Sequence, residues 1–395
     1  MEYTIILLII ALIFIVAVST YHKYEVFAPW TVTPAVWGVI FILYLFSKND
    51  LYTLPADVVS GLAIWNGLFC LSCFVAFKLT PRYQGTPWTV CDRNVNILLA
   101  LSVILVPFAV VKAIQYALLI GSPADLFFTL REQAVTPEEN QMGMAKYFIY
   151  VINVLLMIEL DREVLRKKKI LAIAFLCLLF FLATMSKHTL FTFIFSGLYI
   201  LYHKKRISLK PFAFFIAFLL ALVPIMYFVR GGEDGDTSLT VWDLMIIYIT
   251  SPLVAFGYIM PGSSAQWGEE TFRGAYNILD KMGFDVTVPN LIQDFVATPL
   301  PSNTYTVLQP FYADFGLTGI AVFAIMEGII IGIAYKLSQT GNNLMKYLYA
   351  FIFTTLVMQF VEEQFFIGIS SMIQTTLLIL ICHISFTYRN DKQTV

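Results

Sequence analysis

The chain has 395 residues, 59% of them hydrophobic and only 13% charged, and its mean hydropathy is +0.77. Soluble domains average roughly 45–50% apolar and about 25% charged residues, so the composition excludes an ordinary soluble protein and reads as a polytopic membrane protein. A net charge of -1 argues against a basic nucleic-acid binder.

A helical span needs roughly 20 apolar residues. Eleven runs qualify, at about 3–20, 28–46, 56–78, 95–120, 145–160, 169–186, 188–203, 211–229, 309–335, 345–361 and 366–386. The fold expected is therefore all-α, with eleven transmembrane helices forming one membrane domain over residues 1–395. Five cysteines (Cys70, Cys73, Cys91, Cys177 and Cys382) lie within or beside these runs. The pair Cys70 and Cys73 has the spacing of a redox or zinc half-site, but in a membrane helix it reads as two small core residues.

Orientation follows from the basic residues. Arg162, Arg166, Lys167, Lys168 and Lys169 form one cluster, and Lys204, Lys205, Arg206 and Lys210 another; the positive-inside rule makes both cytoplasmic. Alternation then places the N-terminus outside and the C-terminus inside. Seventeen basic residues fall on the inner side, and seven (Lys48, Arg131, Lys146, Lys187, Arg230, Arg273 and Lys281) at or beyond the outer face, with Lys112 inside a span. Residues 239–260 are long enough to cross, but a crossing there would put Lys336, Lys346, Arg389 and Lys392 outside. They are read as a re-entrant or surface-lying helix.

Two outer loops stand out, 121–144 and 230–308. The second is the one long stretch that is not uniformly apolar, and chemistry on a polar substrate is expected there. Along the ninth span, Gly328 and Gly332 form a GxxxG that predicts close packing against a neighbouring helix.

Four cations lie where a span meets an outer loop or within one: Arg131, Lys187, Arg230 and Arg273. The arginine fork suits phosphate oxygens and lysine adds a point charge, so a pyrophosphate is the natural partner; the plain alternative is snorkelling to lipid headgroups. Glu362 and Glu363 sit between the last two spans, where mutual repulsion and partial desolvation would raise a carboxyl pKa toward a general base's range. Salt bridges or a solvated tip would be the plain reading. His188 is a second candidate base, and Glu327, deep in the ninth span, reads as a buried partner. Asn303, Tyr305, Gln309, Tyr312 and Asp314 offer aromatic faces, amides and a carboxylate, the groups that bind sugar rings and hydroxyls. If the chain were helical from Tyr305, then Tyr305, Gln309 and Tyr312 would share a face, but Pro310 favours a helix start near itself. No phosphate loop, HExxH or GxSxG motif occurs.

The run Asn303-Thr304-Tyr305-Thr306 through Phe311-Tyr312-Ala313-Asp314-Phe315-Gly316-Leu317-Thr318-Gly319 resembles the C-terminal signature of the Wzy-type O-antigen and oligosaccharide repeat-unit polymerases of bacterial inner membranes. Arg131, Met185-Ser186-Lys187, Arg230-Gly231-Gly232 and Glu363 agree more loosely with that family. Lysine at 187 and histidine at 188 depart from its Ser-Arg-Gly pattern. The resemblance implies a GT-C-like architecture and a metal-independent transferase with no cofactor. Its active site would face the periplasm, so that 121–144 and 230–308 become periplasmic loops. The expected reaction transfers a growing glycan from undecaprenyl pyrophosphate to the nonreducing end of a lipid-linked repeat unit. Within it, Arg131, Lys187, Arg230 and Arg273 would bind pyrophosphate, Glu363 or Glu362 would be the base, and Asn303, Tyr305, Tyr312 and Asp314 would bind sugar. Implied partners are the lipid-linked oligosaccharide, membrane lipids, and the chain-length regulator and flippase of the same pathway. An O-antigen ligase-like enzyme is the alternative within the same chemistry. A flippase or transporter of lipid-linked glycan would need polar residues at the midplane of many spans, where this chain has chiefly Lys112 and Glu327.

Overall fold

In hydrocarbon every peptide group needs an internal partner, so long apolar runs are driven into helices. The computed structural model describes residues 2–46, 53–86, 88–135, 141–208, 241–290, 293–298 and 301–384. In chain order the helices are α1 (Glu2–Tyr21), α2 (Pro29–Phe46), α3 (Ala56–Leu79), α4 (Asp92–Ile120), α5 (Leu126–Val135), α6 (Phe148–Asp161), α7 (Lys167–Thr184), α8 (Lys187–His203), α9 (Val241–Phe256), α10 (Arg273–Lys281), α11 (Gln309–Gln339), α12 (Asn343–Met358) and α13 (Ile369–His383). A two-residue hairpin, β1 (Val296–Ala297) with β2 (Pro301–Ser302), pairs antiparallel between α10 and α11.

Ten of the eleven apolar runs form helices, and the run 211–229 lies outside the described residues. Five helical stretches are long and apolar enough to cross a membrane: Glu2–Tyr21, Ala56–Leu79, Asp92–Ile120, Gly143–Asp161 and Gln309–Gln339. Shorter apolar helices accompany them at Pro29–Leu45, Met245–Phe256, Asn343–Met358 and Ile369–His383. The stretch 239–260 contains α9, which buries Ile246, Ile249 and Leu253 and packs against α2.

The most extensive helix contact joins α3 to α11. Its cause is the GxxxG pair. A side chain at Gly328 would meet Ser72 Oγ and come 2.7 Å from the Phe69 carbonyl, and one at Gly332 would collide with the Cys73 carbonyl. Cys70 and Cys73 are buried in α3 at this contact, in keeping with small residues that let two backbones approach.

Three helices share a polarity. At one end of α6, Asp161 pairs with Lys346 at 2.5 Å and accepts from Tyr347. Nearby, Arg162 and Arg166 both bind Asp92, and the Arg206 guanidinium donates to the Leu160, Arg162 and Glu163 carbonyls. Two basic loops thus meet the start of α12 at this end. The other ends of α6, α8 and α12 carry Tyr150, His188 and Met358, and there the candidate site opens.

Gly328→Val should force α3 and α11 apart or strain them, at roughly 1–3 kcal/mol for overpacking. The check is the unfolding midpoint of the detergent-purified protein; an unchanged midpoint would show that the close approach is dispensable.

Candidate active site

The site begins with a break in α11. Pro310 occupies the first turn, where its missing N–H is no loss, and the helix runs from Gln309 until Gly316 takes φ 63° and ψ -153°. That conformation is essentially confined to glycine. In an unbroken helix the carbonyls of Tyr312 and Ala313 would accept from residues four further on. Here they accept from the N–H groups of Gly262 and Ser264, at 3.2 and 3.3 Å. The Asp314 carboxylate accepts from the N–H groups of Glu270 and Thr271, the latter at 2.7 Å. Four hydrogen bonds therefore dock residues 262–271 onto one turn of α11.

Docking aims Glu270 and Arg273 into a cavity of about 420 Å³. Glu270 Oε2 accepts from Gln293 at 3.0 Å and Gln309 at 3.3 Å, and burial raises its carboxyl above the ordinary range. Arg273 is oriented by donating Nε–H to the Pro289 carbonyl at 2.8 Å.

The opposite wall is supplied by the connection between α12 and α13. Thr306 and Val307 donate to the carbonyls of Val361 and Gln359, at 3.2 and 2.7 Å, and so join the end of the large loop to this connection. Gln359 is fixed underneath by the indole N–H groups of Trp37 and Trp65. Glu363 is 2% exposed. Its Oε1 accepts from the N–H groups of Phe365 (2.5 Å) and Phe366 (2.8 Å), and its Oε2 from Ile367 (2.8 Å). Oε1 is thereby saturated, while Oε2 keeps one lone pair for a further donor. Burial pushes this carboxyl up to about 7, against the three N–H donors that hold it down and with Glu362 adding to the rise. Glu362 is exposed and accepts from Gln364.

Two more elements complete the lining. α5 contributes Arg131, held there by the buried Leu130 and by Gln133, which donates to the Ala113 carbonyl of α4 at 3.0 Å. Met185 ends α7 in the left-handed region (φ 45°) and Ser186 caps α8 by accepting from Thr189, so a tight tip presents Ser186 and His188. Burial lowers the pKa of Arg131, with the Glu362 charge opposing, and likewise of Arg273, with Glu270 opposing; a guanidinium stays cationic through such shifts.

Of the residues singled out in the sequence, Arg131, Arg273, His188, Asn303, Tyr305, Gln309, Glu362 and Glu363 all line this one cavity. Tyr305 is anchored through its hydroxyl to the Asp294 carbonyl at 2.6 Å. Tyr312 and Asp314 do not line it. Tyr312 is buried and donates its hydroxyl to Asp57 at the start of α3 (2.8 Å), and Asp314 holds the docked loop. Both were expected to bind sugar, and both are turned away because the helix face carrying them packs on protein. Glu327 is buried in α11 outside the cavity. Lys187 is the first residue of α8, its side chain lying outside the described residues; Arg230 lies outside them altogether. Reading the sequence missed Tyr248 of α9, Asn290 and Gln293 as lining residues and gave Glu270 no role. Tyr248 is hidden in an apolar run, and only the Glu269-Glu270 doublet hinted at an acid.

Such a cavity can hold an anion between two cations while a carboxylate near neutrality takes a proton from a neighbouring hydroxyl. No protein-family model, curated protein or solved structure matches the chain.

Asp314→Ala should free the docked loop, so that trypsin cleaves after Arg273 several-fold faster in the detergent-solubilised protein. Unchanged protection would mean that the loop is held by other contacts.

Proposed function

We propose that this protein is a glycan polymerase that joins lipid-linked repeat units, most simply an O-antigen polymerase of the bacterial inner membrane working at the periplasmic face. In this reading the chain spans the membrane eleven times, with a GT-C-like arrangement and its N-terminus outside. The observation that carries the proposal is the single cavity in which Arg131, Arg273, Glu363, His188, Asn303 and Tyr305 converge from separate elements. The sequence resemblance to the Wzy-type polymerases supplies the substrate class.

The leaving group is the pyrophosphate of the polyprenyl carrier. Arg131 and Arg273 stabilise the charge that develops on it, with Lys187, at the tip between α7 and α8, and Arg230, in the loop of Arg273, as further cations. A hydroxyl of the acceptor sugar attacks the anomeric carbon of the growing glycan. The new carbon–oxygen bond forms as the bond to phosphate breaks, the electron pair leaves with the pyrophosphate, and the hydroxyl proton passes to the free lone pair of Glu363 Oε2. Glu362 and His188 set the charge around that transfer. Asn303 and Gln309 offer amides for sugar hydroxyls, and Tyr305, buried and anchored to the Asp294 carbonyl, holds the segment that carries Asn303 against the cavity. Tyr312 and Asp314 serve as positioning residues, through the loop they hold.

Deleting the protein from its host and running lipopolysaccharide on a silver-stained gel tests the reading. Lipid A core carrying a single repeat unit is expected; bare core with accumulated lipid-linked glycan would sink the polymerase assignment and favour a ligase or a flippase. The base assignment has its own test. A base must be deprotonated to act, so with Glu363 near 7 the turnover of the purified enzyme on lipid-linked repeat units should rise with pH through about 7 and then level. Glu363→Gln should abolish that rise and lower turnover by about 10²-fold or more; a variant with an intact acid limb would move the role to Glu362 or His188.

A further inference from the structure

Behind the Glu362-Glu363 turn lies a second, smaller cavity of about 230 Å³. His188, Glu362, Glu363 and Gln364 line both cavities, so these residues form a shared wall. The larger space carries both arginines. Among the described residues the smaller carries no cation; beyond the wall it is lined by hydroxyls and rings from the cavity-side turns of α6, α8, α12 and α13. Tyr150 and Ser371 hydrogen-bond to each other at 2.7 Å, and the rings of Tyr150 and Phe351 stand edge to face, 6.4 Å apart.

Two polar atoms of this lining are buried and have no hydrogen-bond partner among the described residues: Thr354 Oγ1, on a residue 2% exposed, and Gln364 Oε1. These two atoms are closed off even from water, so the polar groups open to the chamber are the hydroxyls of the half-buried Tyr150 and Ser371, which suit a ligand that both donates and accepts. Sugar hydroxyls do both. The volume falls below the ~300–1,000 Å³ of pockets that enclose a drug-sized molecule, which suits one ring rather than an oligosaccharide.

We infer that this chamber seats the terminal, nonreducing sugar of the acceptor glycan and presents its hydroxyl to Glu363 from the side away from the arginines. The inference rests on the glycosyl-transfer reading above and deepens it. Displacement at the anomeric carbon requires the nucleophile to come from the side opposite the departing pyrophosphate, and the chamber adjoins the arginine-bearing cavity at Glu363, where such a hydroxyl would emerge to meet the donor. The chamber then decides which terminal sugar is extended, through Thr354, Ser371 and Tyr150.

Detergent-purified protein can be titrated with a panel of methyl hexopyranosides and methyl N-acetylhexosaminides by saturation-transfer NMR, and in parallel with inorganic pyrophosphate by calorimetry. At least one glycoside should bind, and Thr354→Leu, which fills the chamber, should weaken it about tenfold or more while pyrophosphate affinity is unchanged. Ser371→Leu, on another helix, should do the same and stands in if the first variant does not elute as a single species. If no glycoside binds while pyrophosphate does, or if glycoside affinity survives both substitutions, the acceptor chamber is overturned and the transferase reading stands. If glycosides bind in the chamber but pyrophosphate does not bind at all, the chamber stands and the leaving-group assignment falls.

Discussion

The site depends on a helix that stops obeying its own hydrogen-bond rule for one turn. At Gly316 the backbone enters a region that a side chain would forbid, and the carbonyls of Tyr312 and Ala313 turn to the loop at Gly262 and Ser264. Buried peptide groups cannot be left unpaired cheaply, so the break and the docked loop require each other. A loop that failed to dock would leave carbonyls exposed and Glu270 and Arg273 without a fixed place.

A second backbone exchange faces it. The pairing of Thr306 and Val307 with residues 359 and 361 brings the turn that holds Glu363 against the end of the same loop. The resulting cavity sets Arg131 and Arg273 near Glu362, Glu270 and Glu363, each except Glu362 substantially removed from water. Desolvation disfavours every one of these charges separately, while opposite charges nearby restore the ionised forms. Glu363 has no direct ion pair among the described residues, only peptide N–H donors, so its balance falls near neutrality where the arginines stay charged.

Much of the fold was legible because hydrophobic runs and punctuation are local signals. Ten of the apolar runs became helices, Pro310 marks the start of α11, and the spacing of Gly328 and Gly332 announced a close helix contact, which is made with α3. The site was legible in part for a different reason: charges are rare in this chain, and Arg131, Arg273 and the Glu362-Glu363 pair stand out against the apolar background. The roles of Tyr312 and Asp314 were not legible, since their partners, Asp57 and the N–H groups of residues 270 and 271, lie 255 and about 44 positions away. A side chain's type says that it can bind a hydroxyl; which hydroxyl or amide it meets is decided by the helix face it happens to occupy.

The helices that end at the cavity are short. α12 has 16 residues and α13 has 15, so at 1.5 Å per residue each rises only about 22–24 Å, against a hydrocarbon layer of ~30 Å. Set in a bilayer, such helices draw the surrounding lipid inward or leave the cavity mouth sunk below the headgroup plane. Either way, on the proposed glycosyl-transfer reading a phosphate carried on a lipid tail would meet the arginines with little vertical excursion, and the thickness of the host membrane would tune how easily the carrier is engaged.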